Sequence, residues 1–173
     1  MKLPSNIEYF KEMEKDRMWV HPDYVGAFEE MNLVHFPSIM TYEGGKRYKK
    51  NKFREVIRFE TKGGKALFLK KHYAPSKKQN LKDILFRLKR PISQARQEIE
   101  AIGMLESLGI MTMNPIAFGE YPGKIFEGHS FIVTEEITHG TKLEQYLVVD
   151  KKYEREISFR QKLIHEIAEI ANR

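Results

Sequence analysis

The clearest alternation of apolar and polar positions lies between residues 53 and 70. Phe53-Arg54-Glu55-Val56-Ile57-Arg58-Phe59-Glu60 is rich in β-formers, Thr61-Lys62-Gly63-Gly64 supplies a turn, and Ala66-Leu67-Phe68-Leu69-Lys70 returns. Together they predict a β-hairpin. Two more strand-like runs, Asn114 to Glu120 and Ser130 to Ile137, flank a loop containing Pro122-Gly123 and Gly128. Phe36 to Met40 also reads as a strand. Elsewhere the spacing turns helical. Leu81, Ile84, Leu85 and Leu88 recur at helical intervals in the segment 77–90, which Pro91 ends. Ser93 is then a suitable N-cap for a helix over 94–108, and Gly109 a suitable stop. Residues 1–31 read as short helices, one of them opened by Pro22. Near the other end, Thr141-Lys142-Leu143-Glu144 fits a capping box, and a helix is expected over 154–171. Ile157, Leu163, Ile164, Ile167, Ala168 and Ala171 lie on one side of it.

This order of elements predicts an α+β fold. Successive strands joined by short turns favour an antiparallel sheet, here of about five strands, with one long helix packed on it and further helices flanking it. The 154–171 pattern carries no C-terminal stop signal. The chain is therefore expected to be a fragment whose last helix lacks partners.

Charge sharpens the picture. The whole chain carries +6, but residues 46–90 hold 17 Lys and Arg against only Glu55, Glu60 and Asp83. Such a local excess predicts an anionic partner, although a solvated basic surface is the more ordinary outcome of charge alone. The segment 77–90 is both basic and amphipathic, so it can lie on an anionic membrane surface or pack against its own domain. The absence of cysteine excludes a disulfide framework, a thiolate nucleophile and a Cys-based zinc site. No signal-peptide pattern and no run of membrane-spanning length is present, which makes the cytoplasm the expected location.

Two residues carry candidate chemistry. Lys70 ends an apolar strand. Glu98 falls within the apolar arc of the 94–108 helix, formed by Ala95, Ile99, Ala101, Ile102, Met104, Leu105 and Leu108, whereas Glu100 falls outside it. A carboxylate on a buried face is costly without a cation beside it, and Lys70 is the cation that the preceding strand offers. Taken singly, each has a plainer explanation: a solvated strand-end lysine, and an acid at the border of an apolar face. Taken together, they match a strand lysine that grips nucleotide phosphates and a helix glutamate that holds it. Lys71, the competing lysine, points to the opposite face by strand alternation.

Several stretches resemble the lipopolysaccharide core sugar kinases of the Kdo/WaaP type. They are Arg54 to Glu60, Gly64 to His72, Ala95-Arg96-Gln97-Glu98 leading into Leu105-Glu106-Ser107-Leu108-Gly109-Ile110, Ala117-Phe118-Gly119-Glu120, and Ser130 to Ile137. The resemblance implies a protein-kinase-like N-lobe over 36–137. It implies an N-terminal helical extension over 1–35, and a hinge exit with the first helices of a truncated C-lobe over 138–173. It makes Lys70 the ATP phosphate-binding lysine and Glu98 its partner. Thr134 becomes the residue guarding the back of the nucleotide pocket, and Glu135 to Ile137 the hinge whose backbone meets adenine. It also implies a heptose or Kdo acceptor in lipopolysaccharide or lipid A–core glycolipid, with contact to the inner-membrane surface through 77–90. Two features depart from kinase habit. There is no Gly-x-Gly-x-x-Gly, only Gly44-Gly45 where the loop between the first two strands is expected, and Phe68 stands where a small residue usually lies over adenine. No catalytic His-x-Asp is read anywhere in the chain, no Asp-x-Gly follows the hinge, and His165 reads as an ordinary histidine. The catalytic base and the magnesium ligands are therefore expected after Arg173, and this chain alone is expected to transfer no phosphate. The alternatives are a non-catalytic pseudokinase lobe and a basic anion- or membrane-binding module. Tyr48, Phe53, Phe59, Tyr73 and Phe86 interleave with the basic residues, but no nucleic-acid motif accompanies them, so no nucleic-acid partner is expected.

Overall fold

The computed structural model describes residues 3–73, 92–121 and 128–138. Among these, seven strands form one antiparallel sheet: β1 (Lys11–Glu14), β2 (Met18–Val20), β3 (Lys46–Lys50), β4 (Arg54–Glu60), β5 (Ala66–His72), β6 (Pro115–Glu120) and β7 (Ser130–Glu135). Their spatial order is β1-β2-β6-β7-β5-β4-β3. Three α-helices accompany them: α1 (Val25–Glu30), α2 (Phe36–Thr41) and the long α3 (Gln94–Ser107). The α+β class holds, with two strands more than the five expected. The segments 77–90, 141–144 and 154–171, and the Pro122-Gly123 loop, lie outside the described residues.

The extra strands come from residues 1–31, expected to be helical. Met18-Trp19-Val20 is buried on both sheet faces, so its side chains show no polar alternation. Asp16, at φ 56°, turns the chain between β1 and β2, and its N–H donates to the Glu12 carboxylate at 2.7 Å. The opposite correction applies to Phe36–Met40, which is helix rather than strand. Phe36 and Ile39 are both buried at helical spacing, and Pro37 sits in the first turn. The Phe36 N–H donates to Glu14 at 2.6 Å and the His35 N–H to Ser38 Oγ at 3.3 Å. Those acceptors satisfy amides that a helix start leaves open.

The hairpin follows the expected boundaries. Ile57 pairs with Leu69 and Phe59 with Leu67 across β4 and β5. The turn closes through Gly64 N–H to Thr61 O and Lys65 N–H to the Thr61 hydroxyl. Gly44-Gly45 proves to lie before β3, not between the first two strands of the lobe. Gly45 has φ 99°, and a Cβ there would sit 2.3 Å from Arg58 O. The β3–β4 turn is instead Asn51-Lys52-Phe53, where Asn51 Oδ1 accepts from the N–H groups of Phe53 and Arg54.

The sheet has two covered faces. On one, α1 and α2 close over Phe59, Leu67, Leu69, Phe131 and Val133. On the other, α3 buries Ala95, Ile99 and Ile102 against Trp19, Phe118 and Ile132, joined by Ile7 and Phe10. Ala101 and Met104 of the expected apolar arc are exposed, so the buried stripe of α3 is narrower than its composition suggests. Ser93 caps α3 by accepting from Arg96 N–H, and Gly109, at φ 72°, ends it while the Ile110 N–H returns to Leu105 O. That is the Schellman closure expected of a glycine just beyond a helix. The start of α3 is also clamped to β6, since Arg96 reaches Glu120 at 2.6 Å and Ser93 donates to the same carboxylate.

Candidate functional site

The site forms where α3 crosses the ends of β4 and β5. Residues that alternate along a strand share a face, so Lys70 and His72 of β5 point the same way, toward α3. Lys70 Nζ donates to Glu98 Oε2 at 2.9 Å and lies 3.4 Å from Met113 Sδ. The pair that the sequence suggested is therefore in contact. Its side chains keep some access to solvent, 15% for Lys70 and 28% for Glu98. The other carboxylate oxygen, Oε1, faces His72 Nε2 at 3.3 Å and an Arg54 guanidinium nitrogen at 3.8 Å. Burial of Glu98 favours the neutral acid, but the neighbouring His72 and Lys70 outweigh it and hold the carboxyl down at about 2. One permanent anion thus sits among three donors.

Lys71 turns to the opposite face, as alternation requires. Its Nζ donates to the Tyr42 carbonyl and lies 3.1 Å from Glu55, in a sealed environment.

The expected back-of-pocket and hinge residues lie along β7. Thr134 is buried and sits opposite Phe68 of β5, whose ring meets Tyr48 edge-on at 5.5 Å. Glu135 and Glu136 are more tied down than a surface reading of two acids allows. Glu135 accepts from the Tyr24 hydroxyl and from Asn114 Nδ2, and these contacts lower its pKa. Glu136 receives a bidentate pair from Arg58, with both contacts at 2.8 Å. The N–H groups of Glu135 and Glu136 are also committed, to Asn114 O and Ala66 O. Ile137 is exposed.

Sequence reasoning missed Arg54 and His72. The same period-2 alternation that separated Lys70 from Lys71 places His72 beside Lys70, and hairpin register places Arg54 opposite His72. It also missed the tie between Tyr24 and Glu135, which no local pattern encodes. The chain does contain a His-x-Asp, His21-Pro22-Asp23. Its histidine Nδ1 accepts from the Asp23 N–H and caps a 3-10 turn, which is a structural use. Among the described residues, no group of three or more His, Asp or Glu side chains could hold a metal ion.

Residues 40–173 match the Lipopolysaccharide kinase (Kdo/WaaP) family. The chain belongs to that family. Among curated members, the lipopolysaccharide core heptose(I) kinase WaaP of Escherichia coli is 35% identical over 111 residues, covering 64% of this chain and 41% of that protein. The enzyme of the same name from Pseudomonas aeruginosa is 36% identical over 102 residues, 59% of this chain and 37% of that protein. This chain thus spans about two fifths of these relatives' length. A solved structure described as WaaP in complex with acyl carrier protein superposes with a TM-score of 0.54 at 27% identity, covering 81% of this chain and 48% of that one. The likeness fits a kinase-like N-lobe, with a strand count larger than the simplest version of that lobe. In this Kdo/WaaP family member, β1 and β2 both precede the matched region and add to the sheet beyond β6.

Proposed function

We propose that this chain is the nucleotide-gripping lobe of an ATP-dependent kinase that phosphorylates a heptose or Kdo sugar of the lipopolysaccharide core. The observation that carries this reading is the Lys70–Glu98 contact at 2.9 Å, partly open to solvent, in a member of a lipopolysaccharide kinase family. A lysine held by a helix carboxylate presents its ammonium in a fixed place, and positioning of phosphates is most of what such an enzyme must do. The residues suit ATP chemically. Lys70 would meet its phosphates, Thr134 would bound the pocket, and the Glu135 carbonyl and Ile137 backbone would face the adenine edge, since the N–H groups of Glu135 and Glu136 are already used. Bound ATP supplies the phosphoryl group. In this reading the base that orients the acceptor hydroxyl and the magnesium ligands come from outside this lobe. Contact with the inner-membrane surface through 77–90 and a cytoplasmic location belong to the same proposal, because a glycolipid acceptor is membrane-bound.

The test is titration of the chain with a fluorescent ATP analogue. Lys70→Ala should weaken binding by about tenfold or more, the loss of one charge-assisted phosphate contact. Unchanged affinity in that variant would remove Lys70 from the nucleotide site. Phosphate transfer from labelled ATP, assayed with the lobe joined to the residues that follow it in its relatives, should then separate heptose from Kdo acceptors.

A further inference from the structure

We infer that His72 is a positioning residue for Glu98, holding one carboxylate oxygen so that the other stays on Lys70. This rests on the proposed role of the Lys70–Glu98 pair and extends it to a residue with no part in the ordinary lysine–glutamate scheme.

The argument begins with an imbalance. His72 is 8% exposed, and its Nε2 is buried without a fully formed hydrogen bond. The nearest acceptor is Glu98 Oε1 at 3.3 Å, within ion-pair reach, although the ring N–H is not aligned on it. Arg54 Nε is likewise buried without a partner. Leaving buried donors unsatisfied is costly, and such groups in native folds call for a reason. His72 Nε2 at 3.3 Å and a terminal Arg54 nitrogen at 3.8 Å face Glu98 Oε1, while Oε2 is bonded to Lys70. One close but imperfectly aligned donor on Oε1 and one well-formed bond on Oε2 describe a carboxylate held from behind and aimed forward. Catalytic hydrogen bonds are often loose before ligand binds and tighten afterwards.

Among the described residues, the charged groups around the Glu98 carboxylate are His72 and Lys70 from β5 and Arg54 from β4.

Two readouts on the full chain test this. Carbon-13 NMR of the Glu98 carboxyl needs no nucleotide. Its pKa of about 2 should rise by roughly one unit in His72→Ala, and by less in His72→Gln, which keeps a neutral N–H. ATP affinity should fall about three- to tenfold in His72→Ala and less in His72→Gln. If His72→Ala fails to fold, the Glu98 titration in His72→Gln decides. Unchanged Glu98 titration in the variants overturns the proposal. So does an ATP affinity in folded His72→Ala that matches the unaltered chain while Lys70→Ala weakens it. Lys70→Ala separates the two ideas: if it leaves ATP affinity intact while the Glu98 titration still shifts in the His72 variants, the nucleotide reading fails and the positioning role stands.

Discussion

Lys70 and Lys71 are neighbours in one strand, yet they serve two ion-pair clusters of different kinds. On the α2 side, Lys71 and Glu55 are 1% and 2% exposed and 3.1 Å apart. Glu55 also accepts from the Tyr73 hydroxyl at 2.9 Å and meets Arg47 at 2.7 Å and Lys50 at 3.4 Å. On the α3 side, Lys70 and Glu98 are closer at 2.9 Å but remain partly open. Both carboxyls lie at about 2, against burial that would raise them. Similar pKa values therefore conceal different jobs. The sealed Lys71–Glu55 pair ties the basic strand β3 to the loop after α2. The open one keeps donors that an incoming anion could use. An acid with a lowered pKa does not identify a binding site; access does.

The strongest way to break this comparison is to remove each lysine in turn. Lys71→Ala leaves Glu55 buried with its closest sealed partner gone and should cost about 3–5 kcal/mol, read by urea unfolding. Lys70→Ala should cost about 1 kcal/mol or less, because water can reach Glu98. Equal losses would mean that the two clusters are equally structural.

Acid provides the next test. The folded pKa of each carboxyl lies below its ordinary 4.5, so each contributes stability that is fully present above that value and is lost as pH falls toward 2. Glu55→Gln and Glu98→Gln should each flatten part of the loss between pH 4.5 and 2, measured by thermal unfolding in that window. A variant with the full original slope would show that its carboxyl is not the group responding.

Smaller effects sharpen the picture. Tyr73→Phe removes one hydrogen bond to a buried carboxylate and should cost about 1–2 kcal/mol at neutral pH. Glu98→Gln should lower stability at neutral pH less than Lys71→Ala does, because water reaches the Glu98 carboxyl, while still weakening ATP binding. A loss as large as that of Lys71→Ala would move Glu98 into the structural class.

Much of this was legible in the chain. The β4–β5 hairpin, the cap and stop of α3, and β6 and β7 follow from patterns a few residues long, because turn chemistry, capping and alternation act locally. Lys70 and Glu98 were legible because a charge on an apolar face demands a partner. The N-terminal region was not. Its β2 is three residues long and buried on both faces, so its side chains reveal burial but not period. Phe36–Thr41 has too few residues for helix and strand periods to separate, and its first amide is satisfied by Glu14, far off in sequence.

The sequence by itself determined the α+β class, the hairpin, the limits of the long helix, and which strand lysine could face it. Those properties rest on interactions between residues close in the chain. Only the tertiary structure decided that β1 and β2 extend the sheet beyond β6, that Tyr24 reaches Glu135, and that Arg54 and His72 converge on Glu98 from separate strands. Strand order and convergence on a single carboxylate depend on which surfaces pack together. That choice is made by burial summed over the whole sheet, and no short window of sequence contains it.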